Sequence, residues 1–586
     1  MRKAILAAFA AFAVLMMGAC GGSGNNPPPP PLVAVSPATA NVQEASTQQF
    51  SATVSNTSQT AVTWQVNGIT GGNATVGTID STGLYTAPAA IPNPPSVTVT
   101  AVLQANNAFT GNAIATITAV QFSNSSFKGN YIISVRGVDA NGLAFYVVGA
   151  ITADGNGNIT GGEEDWNGAS FGYIQAPSIS GNYSVGADGR GSLNLNVPAV
   201  SSAPFGYAIA MKALNNAVVN EMDNQVVAAT GDLELQTATG VAVPSGNYAF
   251  GFSGTGLSCG GSFNSAGIFA FNNAIIGGVQ DLNCGGRVTQ AQTLTGSFGG
   301  IDGLGRGTGQ FSANSGSSNM VYYVVSASRF RFMCPDPATF FLGSGDLQTQ
   351  PAFASSDFNG NYVVNTSAST NAGVSYTLIQ FNASGGNIST GHYDVNDTGT
   401  VGQASVTGAY TFNANGRISG SFTVNNVALP FAMYLVSPTQ AYYLDERTTI
   451  FSGGGNVYGQ SGDLTDNAGW AGSYATKQFG YFVVNRIINT ANATAISGQL
   501  SADGAGVLAG TLDINDPGGL LPNQPITQGQ YAVGNVAPGR FTASITTNPN
   551  NDGTRNFVGY IVSPGQVVLM ENDSNLTAGG DAVRQF

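Results

Sequence analysis

The sequence predicts an all-β chain: one leading domain of short strands, then four tandem antiparallel, up-and-down, barrel-like domains of about eight strands each. Three observations lead there. The first is composition. Hydrophobic residues make up 42% of the 586 residues, charged residues only 8%, and there are 80 glycines. Apolar, β-branched and aromatic residues without charged helix formers favour sheets. The second is a motif that occurs four times, Gly161–Asn167, Gly277–Asn283, Thr390–Asn396 and Ala509–Asn515, with the shared core Gly-x-x-Asp-x-Asn. Its period of roughly 115 residues is the size of a small domain, far longer than a solenoid unit. The third is period-two alternation between turn residues, as in Tyr131, Ile133 and Val135, the pattern of strands with one apolar face.

The chain opens on an address. Arg2 and Lys3 precede an apolar run from Ala4 to Met17 that is short for a membrane span. Met17-Gly18-Ala19-Cys20 resembles the lipobox of bacterial lipoproteins, in which the cysteine is lipidated and becomes the mature N-terminus. Met17 stands where that family usually has leucine. Residues 1–20 are therefore expected to be a lipoprotein signal with Cys20 as the lipid attachment site. Residues 21–31, GGSGNNPPPPP, form a flexible piece and a stiff polyproline spacer. The implied location is the cell envelope, at the outer membrane or cell surface, with the membrane as a partner through the N-terminal lipid.

Residues 32–121 alternate in strand period at Val97–Thr100 and Ile114–Ile117. Val35-Ser36-Pro37, Val62–Val66 around Trp64, and Gly77–Pro88 resemble the bacterial immunoglobulin-like group 2 family. That resemblance implies a β-sandwich spacer without an inter-sheet disulfide, and Trp64 packed between sheets.

The four repeats span 127–237, 244–350, 358–464 and 468–586, each expected to fold as its own barrel. Each opens on Gly-x-Tyr, as Gly129-Asn130-Tyr131, and carries a later Gly-Arg turn: Gly189-Arg190, Gly305-Arg306, Gly416-Arg417 and Gly539-Arg540. Glycine and asparagine serve hairpin turns that need positive φ. Closing eight strands into a barrel removes the exposed edges. The array resembles uncharacterised repeat-bearing lipoproteins of environmental bacteria, a resemblance that carries no assigned activity.

The strongest recurring polar feature is the pair Asp165/Asn167, Asp281/Asn283, Asp394/Asn396 and Asp513/Asn515. Both residues of a pair lie on one strand face near its end. They read as exposed structural caps that bond nearby backbone N–H groups. The competing reading is a Ca²⁺ site at the rim, joined by Glu221 with Asp223, Asp445 with Glu446, or Glu571 with Asp573. Calcium needs six or more oxygens, more than these groups supply, so no metal and no cofactor are assigned. No catalytic residue is assigned either. The single histidine, His392, reads as an exposed strand residue, and one histidine excludes a Ser-His-Asp or multi-His metal site. Glu163, Glu164 and Asp165 suggest a glycosidase carboxylate pair, but the other copies lack the glutamates and neighbouring strand residues face opposite sides.

Cys259 and Cys284 are expected to form a disulfide. Placed on the second and third strands of the second repeat, they are equidistant from a turn near Phe271 and Asn272 and face each other in an antiparallel pair. Cys334 is expected free, at a hairpin of the opposite barrel end. The net charge of −13 argues against nucleic acid as a partner. The function read from this organisation is a non-enzymatic, lipid-anchored surface protein for adhesion, matrix or glycan binding, with a surface glycan or protein as partner. The alternative is a binder of small apolar ligands inside the barrels. A hydrolase using acidic side chains comes last.

The lipobox-like end of the signal generates a direct expectation. A radioactive fatty acid fed to the cells should label the wild-type chain and leave Cys20→Ser unlabelled, because two acyl chains at one residue form the anchor. Equal labelling of both would remove Cys20 as the attachment site.

Overall fold

A computed structural model describes residues 28–213, 216–237, 242–272, 275–370, 373–448, 452–484, 487–547 and 553–585. The signal segment and Cys20 lie outside the described residues. Among the described residues the chain is all-β, with strands joined by short turns and four single-turn 3₁₀ segments.

The leading domain packs three small sheets around one core. The largest runs in the order Thr39–Gln43, Thr110–Thr118, Ser96–Leu103, Val62–Val66, Ile69–Thr70, with its first two strands parallel. Phe50, Trp64, Tyr85 and Val99 are buried at its centre. The domain touches the fourth repeat, where Arg584 Nη2 donates to the Ala89 carbonyl at 3.1 Å.

The second and third repeats are closed eight-stranded antiparallel barrels. In the second, the first strand, Gly246–Gly256, pairs with the second, Gly261–Asn272, and with the eighth, Thr339–Leu347. The first repeat closes in the same way: Lys128–Asp139 pairs with Ala144–Asp154 and with Val226–Leu235. Its fourth strand is broken into Gly172–Ala176 and Ser180–Val185, both held by Asn158–Gly168. The fourth repeat breaks the corresponding strand into Gly519–Pro525 and Gln528–Val533, and the second piece reaches across at the Val507–Gln530 bridge.

Alternation along each strand builds two kinds of surface. Inward residues fill the barrels with aromatic and aliphatic side chains, as Phe250, Phe269, Phe298, Phe330 and Phe332 do in the second. Outward residues meet neighbouring barrels. Ile132 and Val148 of the first repeat pack on Val321 and Tyr323 of the second. Ala249 of the second packs with Tyr434 of the third, and Val363 of the third with Tyr560 of the fourth. Val138 and Ala228 of the first meet Phe479 and Ala495 of the fourth. Each barrel therefore touches the next, the fourth returns to the first, and the four form a closed ring.

Cys259 and Cys284 are joined at a Cα–Cα separation of 4.9 Å. Cys259 lies in the 3₁₀ turn Leu257–Cys259 ahead of the second strand, not on it. Cys334 is free and buried. Its hairpin lies at the same barrel end as the disulfide, not the opposite one: Leu257 N donates to the Ala338 carbonyl at 2.9 Å. The reason is topological. In an eight-stranded up-and-down barrel the turns after strands one, three and seven all fall at one end.

Candidate functional site

The recurring Asp-x-Asn pairs sit in the seams between barrels. Asp165 receives Nε and Nη2 of Arg306 from the second repeat at 2.7 and 2.9 Å. Asp281 receives Arg417 of the third at 2.7 and 2.9 Å. Asp394 receives Arg540 of the fourth at 3.0 and 2.7 Å. Asp513 receives Arg190 of the first at 2.7 and 2.8 Å, through Nη2 alone. All four aspartates are buried. Each lies in one repeat and its arginine in the Gly-Arg turn of the next. Burial raises the Asp394 carboxyl, but bonds from His392, Arg540 and Tyr560 outweigh it and hold the group below the ordinary carboxylate range.

The asparagine of each pair completes the seam. Asn167 Nδ2 donates to the Cys334 and Asp336 carbonyls, Asn283 to Asp445 and Arg447, Asn396 to Glu571 and Asp573, and Asn515 to Glu221. A tyrosine from the next repeat also donates to the aspartate in three seams: Tyr323 to Asp165, Tyr434 to Asp281 and Tyr560 to Asp394, at 2.5–2.7 Å. The corresponding position in the first repeat is Ala210, opposite Arg190 on the neighbouring strand. The seam that closes the ring thus lacks the tyrosine, and Arg190 Nε has no partner among the described residues.

These aspartates are not the exposed caps that the sequence suggests. Local capping survives in two copies, where Asp281 accepts from Ala291 N and Asp513 from Asn523 N. The main partner is a guanidinium roughly one repeat away. It takes the carboxylate oxygens that a calcium ion would need. Among the described residues no group of three His, Cys, Asp or Glu side chains is placed to hold a metal.

Sequence reasoning missed the glutamines. Gln236, Gln348, Gln460 and Gln585 each donate through Nε2 to two carbonyls in the next repeat, with Gln585 reaching Asp188 and Met211 of the first. The glycine of the Gly-Arg turn makes room for them. Gly189, Gly416 and Gly539 have φ of 85°, 91° and 70°. A Cβ there would stand 2.9, 3.0 and 2.9 Å from the glutamine nitrogen. The signal was present: the four arginines recur with the period of the four aspartates in a chain holding only 17 lysines and arginines.

His392 is buried in the third seam, 3.6 Å from Asp394, rather than exposed. Strand alternation separates the acidic run. Glu164 turns into the first barrel and accepts from Trp166 Nε1 at 2.8 Å, and burial lifts its carboxyl to about 7. Glu163 turns outward, where burial and the neighbouring Asp302 lift it to about 7. Asp165 is bound to Arg306. The three carboxyls share no common cleft. Glu446 lies in the second seam, bonded by Gln290 at 2.7 Å, and is lifted to about 7 by burial and then by Asp281.

At the middle of the ring the outward faces of all four barrels enclose a polar cavity of about 890 Å³. Its first strands present equivalent positions in register: Arg136, Ser253, Ser367 and Phe479 at one level, and Ser134, Gly251, Asn365 and Lys477 two residues away, about 7 Å along the strands. Five of the chain's 17 basic residues line it: Arg136, Lys212, Arg329, Arg331 and Lys477. Asp232 bonds both Lys212 and Lys477 of the fourth repeat. Glu234 pairs with Arg331 and Arg329, and Asp346 with Arg329 and the Tyr442 hydroxyl. The pairs of Lys477 with Asp232 and of Arg329 and Arg331 with Glu234 cross seams on the cavity side. By contrast, the barrel interiors are filled. The void beside Trp470 in the fourth measures about 20 Å³, room for about one water.

The fold defines an all-β protein in which a small β domain precedes a ring of four antiparallel eight-stranded barrels. No helix among the described residues is long and apolar enough to cross a membrane, which says nothing of strands. No family model and no curated protein matches the chain. Among solved structures it is similar to transferrin binding protein B of Haemophilus parasuis, at 11% identity over 65% of this chain and 86% of that one, with a TM-score of 0.19. It is also similar to isotype 1 of that protein from serogroup B Neisseria meningitidis, at 10% identity over 64% and 83%, again with a TM-score of 0.19.

Two expectations follow from the seams. Arg417→Ala leaves Asp281 buried without its partner, a change that costs roughly 3–5 kcal/mol. Arg190→Ala should cost clearly more, because Asp513 then keeps only the Asn523 N–H while Asp281 keeps both Tyr434 and the Ala291 N–H. Thermal melts of the two variants give the comparison, and equal losses would contradict the unequal seams. The second concerns pH. A carboxyl whose folded pKa is raised contributes stability that is complete below its unfolded value and is lost as pH rises through the folded value. For Glu446 that window runs from about 4.5 to about 7. Glu446→Gln keeps the protonated shape and should lose less stability than wild type between pH 5 and pH 8, measured by chemical denaturation. An unchanged difference would show that Glu446 does not titrate there.

Proposed function

We propose that this chain is an exported, lipid-anchored surface protein without enzymatic activity, whose four-barrel ring is a rigid head that binds a surface glycan or protein. In this reading residues 1–20 are the lipoprotein signal, Cys20 carries the lipid, 21–31 are the tether and 32–121 an immunoglobulin-like spacer. The repeats at 127–237, 244–350, 358–464 and 468–586 form the head.

The observation that carries the proposal is where the polar chemistry goes. The recurring aspartates and asparagines, which a repeated active site would need, are engaged in seams, and the acidic run of the first repeat is divided between a barrel interior and a seam. What remains for function is surface: exposed turns and a polar cavity, held in fixed relation by four seams. Preorganised surfaces of this kind bind without a cost of ordering. The reading with apolar ligands inside each barrel has less support, since aromatic side chains occupy those interiors.

A glycan array probed with the mature chain, alongside binding to immobilised matrix proteins, tests the proposal. Selective, saturable binding to either class is expected. Absence of binding to both, with hydrolysis of an arrayed glycan, would overturn it.

A further inference from the structure

The central cavity has charges that are balanced and one that is not. Asp232 lies between Lys212 and Lys477, with Asp581 opposite Lys477 on the paired strand. Glu234 and Asp346 answer Arg329 and Arg331. Arg136 has no carboxylate partner among the described residues. Its guanidinium stands over the Phe479 ring, 5.5 Å from the centroid, and it remains exposed within the cavity wall.

The surroundings of Arg136 come from several barrels. Tyr146 belongs to the first repeat, Tyr376 to the third, and Phe479 and Tyr481 to the fourth. Burial lifts all three phenols above their ordinary range, and the guanidinium, close enough to act on each, partly offsets this. Three of the rings are fixed: Tyr376 donates to the Phe479 carbonyl at 2.6 Å, and Phe479 and Tyr481 meet edge to face at 5.6 Å. Ser253 and Ser367 stand at the same level on the other two walls. An unpaired guanidinium, aromatic faces and hydroxyls thus converge on one end of a cavity whose volume suits a ligand of several rings.

We propose that this end of the cavity is a subsite for a saccharide bearing a single carboxylate, such as a uronic acid residue. The guanidinium takes the carboxylate through two parallel N–H bonds. The aromatic rings cover the C–H face of the sugar, and the serines and Asn365 bond its hydroxyls. A neutral sugar leaves Arg136 unanswered. A polyanion meets the four cavity carboxylates and a chain of net charge −13. An apolar ligand would strip water from fixed ion pairs. The proposal deepens the glycan reading given above and rests on it.

The test is titration calorimetry of the full mature chain with a xylo-oligosaccharide carrying one glucuronic acid branch, beside the same oligosaccharide as its methyl ester. Wild type should bind the acid roughly ten-fold or more tightly than the ester. Arg136→Gln should bind both as weakly as wild type binds the ester, and Arg136→Lys, which keeps charge but not the fork, should fall between. Because Arg136 carries no ion pair, each variant should melt within about 2 °C of wild type. Equal affinity of wild type for acid and ester, no measurable heat with either, or discrimination retained by Arg136→Gln would overturn the site. An arrayed glycan bound equally by wild type and Arg136→Gln would do the same while leaving surface binding intact. No binding to any arrayed glycan or matrix protein would remove the broader reading.

Discussion

The ring depends on a carboxylate and a guanidinium delivered to one place from two different repeats. A buried ion pair is favourable only when both partners arrive with good geometry and further bonds meet the remaining lone pairs. The seams satisfy that condition with parts that recur. The Gly-Arg turn presents the arginine, the Asp-x-Asn strand presents the aspartate, and a tyrosine takes a further carboxylate lone pair. The asparagine ties the aspartate's strand to the chain that follows the next barrel's seventh strand. A single displaced barrel would leave a buried charge alone, so one arrangement of the four is strongly preferred. The tyrosine's absence at Ala210 makes the closing seam the least well satisfied. The bonds of Lys477 to Asp232 on the cavity side support that junction from another direction.

Much of the fold was legible because it is local. Gly-x-Tyr openings, Gly-Arg turns and period-two alternation each depend on a few neighbouring residues, and they marked the strands and the barrel class. The recurring aspartates were also legible as structural. Their partners were not, because Asp and Arg repeat with the same period. A pair within one repeat and a pair between successive repeats then leave the same trace in sequence. His392 looked exposed for a related reason: an outward position on a strand faces water in an isolated barrel and a seam in a ring. The location of Cys334 required counting turns through the whole barrel, not reading one hairpin.

The cavity was hidden by the same ambiguity. Ser134, Asn365 and Ser367 are outward polar residues of the kind any half-buried strand carries. Only the ring turns those outer faces toward one another. Charge made the cavity detectable once the ring was known, since five of the chain's 17 basic residues gather on its wall. The polar lining and the aromatic fillings divide the molecule into apolar barrel interiors and a polar space shared by the four barrels.

The closed ring of four is made by a single chain, with head-to-tail junctions of the kind that identical subunits use to form cyclic assemblies. A true tetramer of one barrel would repeat every wall residue four times around the axis, so an arginine on one wall would face three copies of itself at close range. Covalent concatenation removes that constraint. Each wall can drift alone, and one level of the shaft now holds Arg136, two serines and Phe479 where symmetry would demand four of a kind. The linked chain also makes assembly independent of protein concentration. The molecule keeps the rigidity of a symmetric oligomer while its centre is free to be lopsided, and a lopsided centre can tell one end of a ligand from the other.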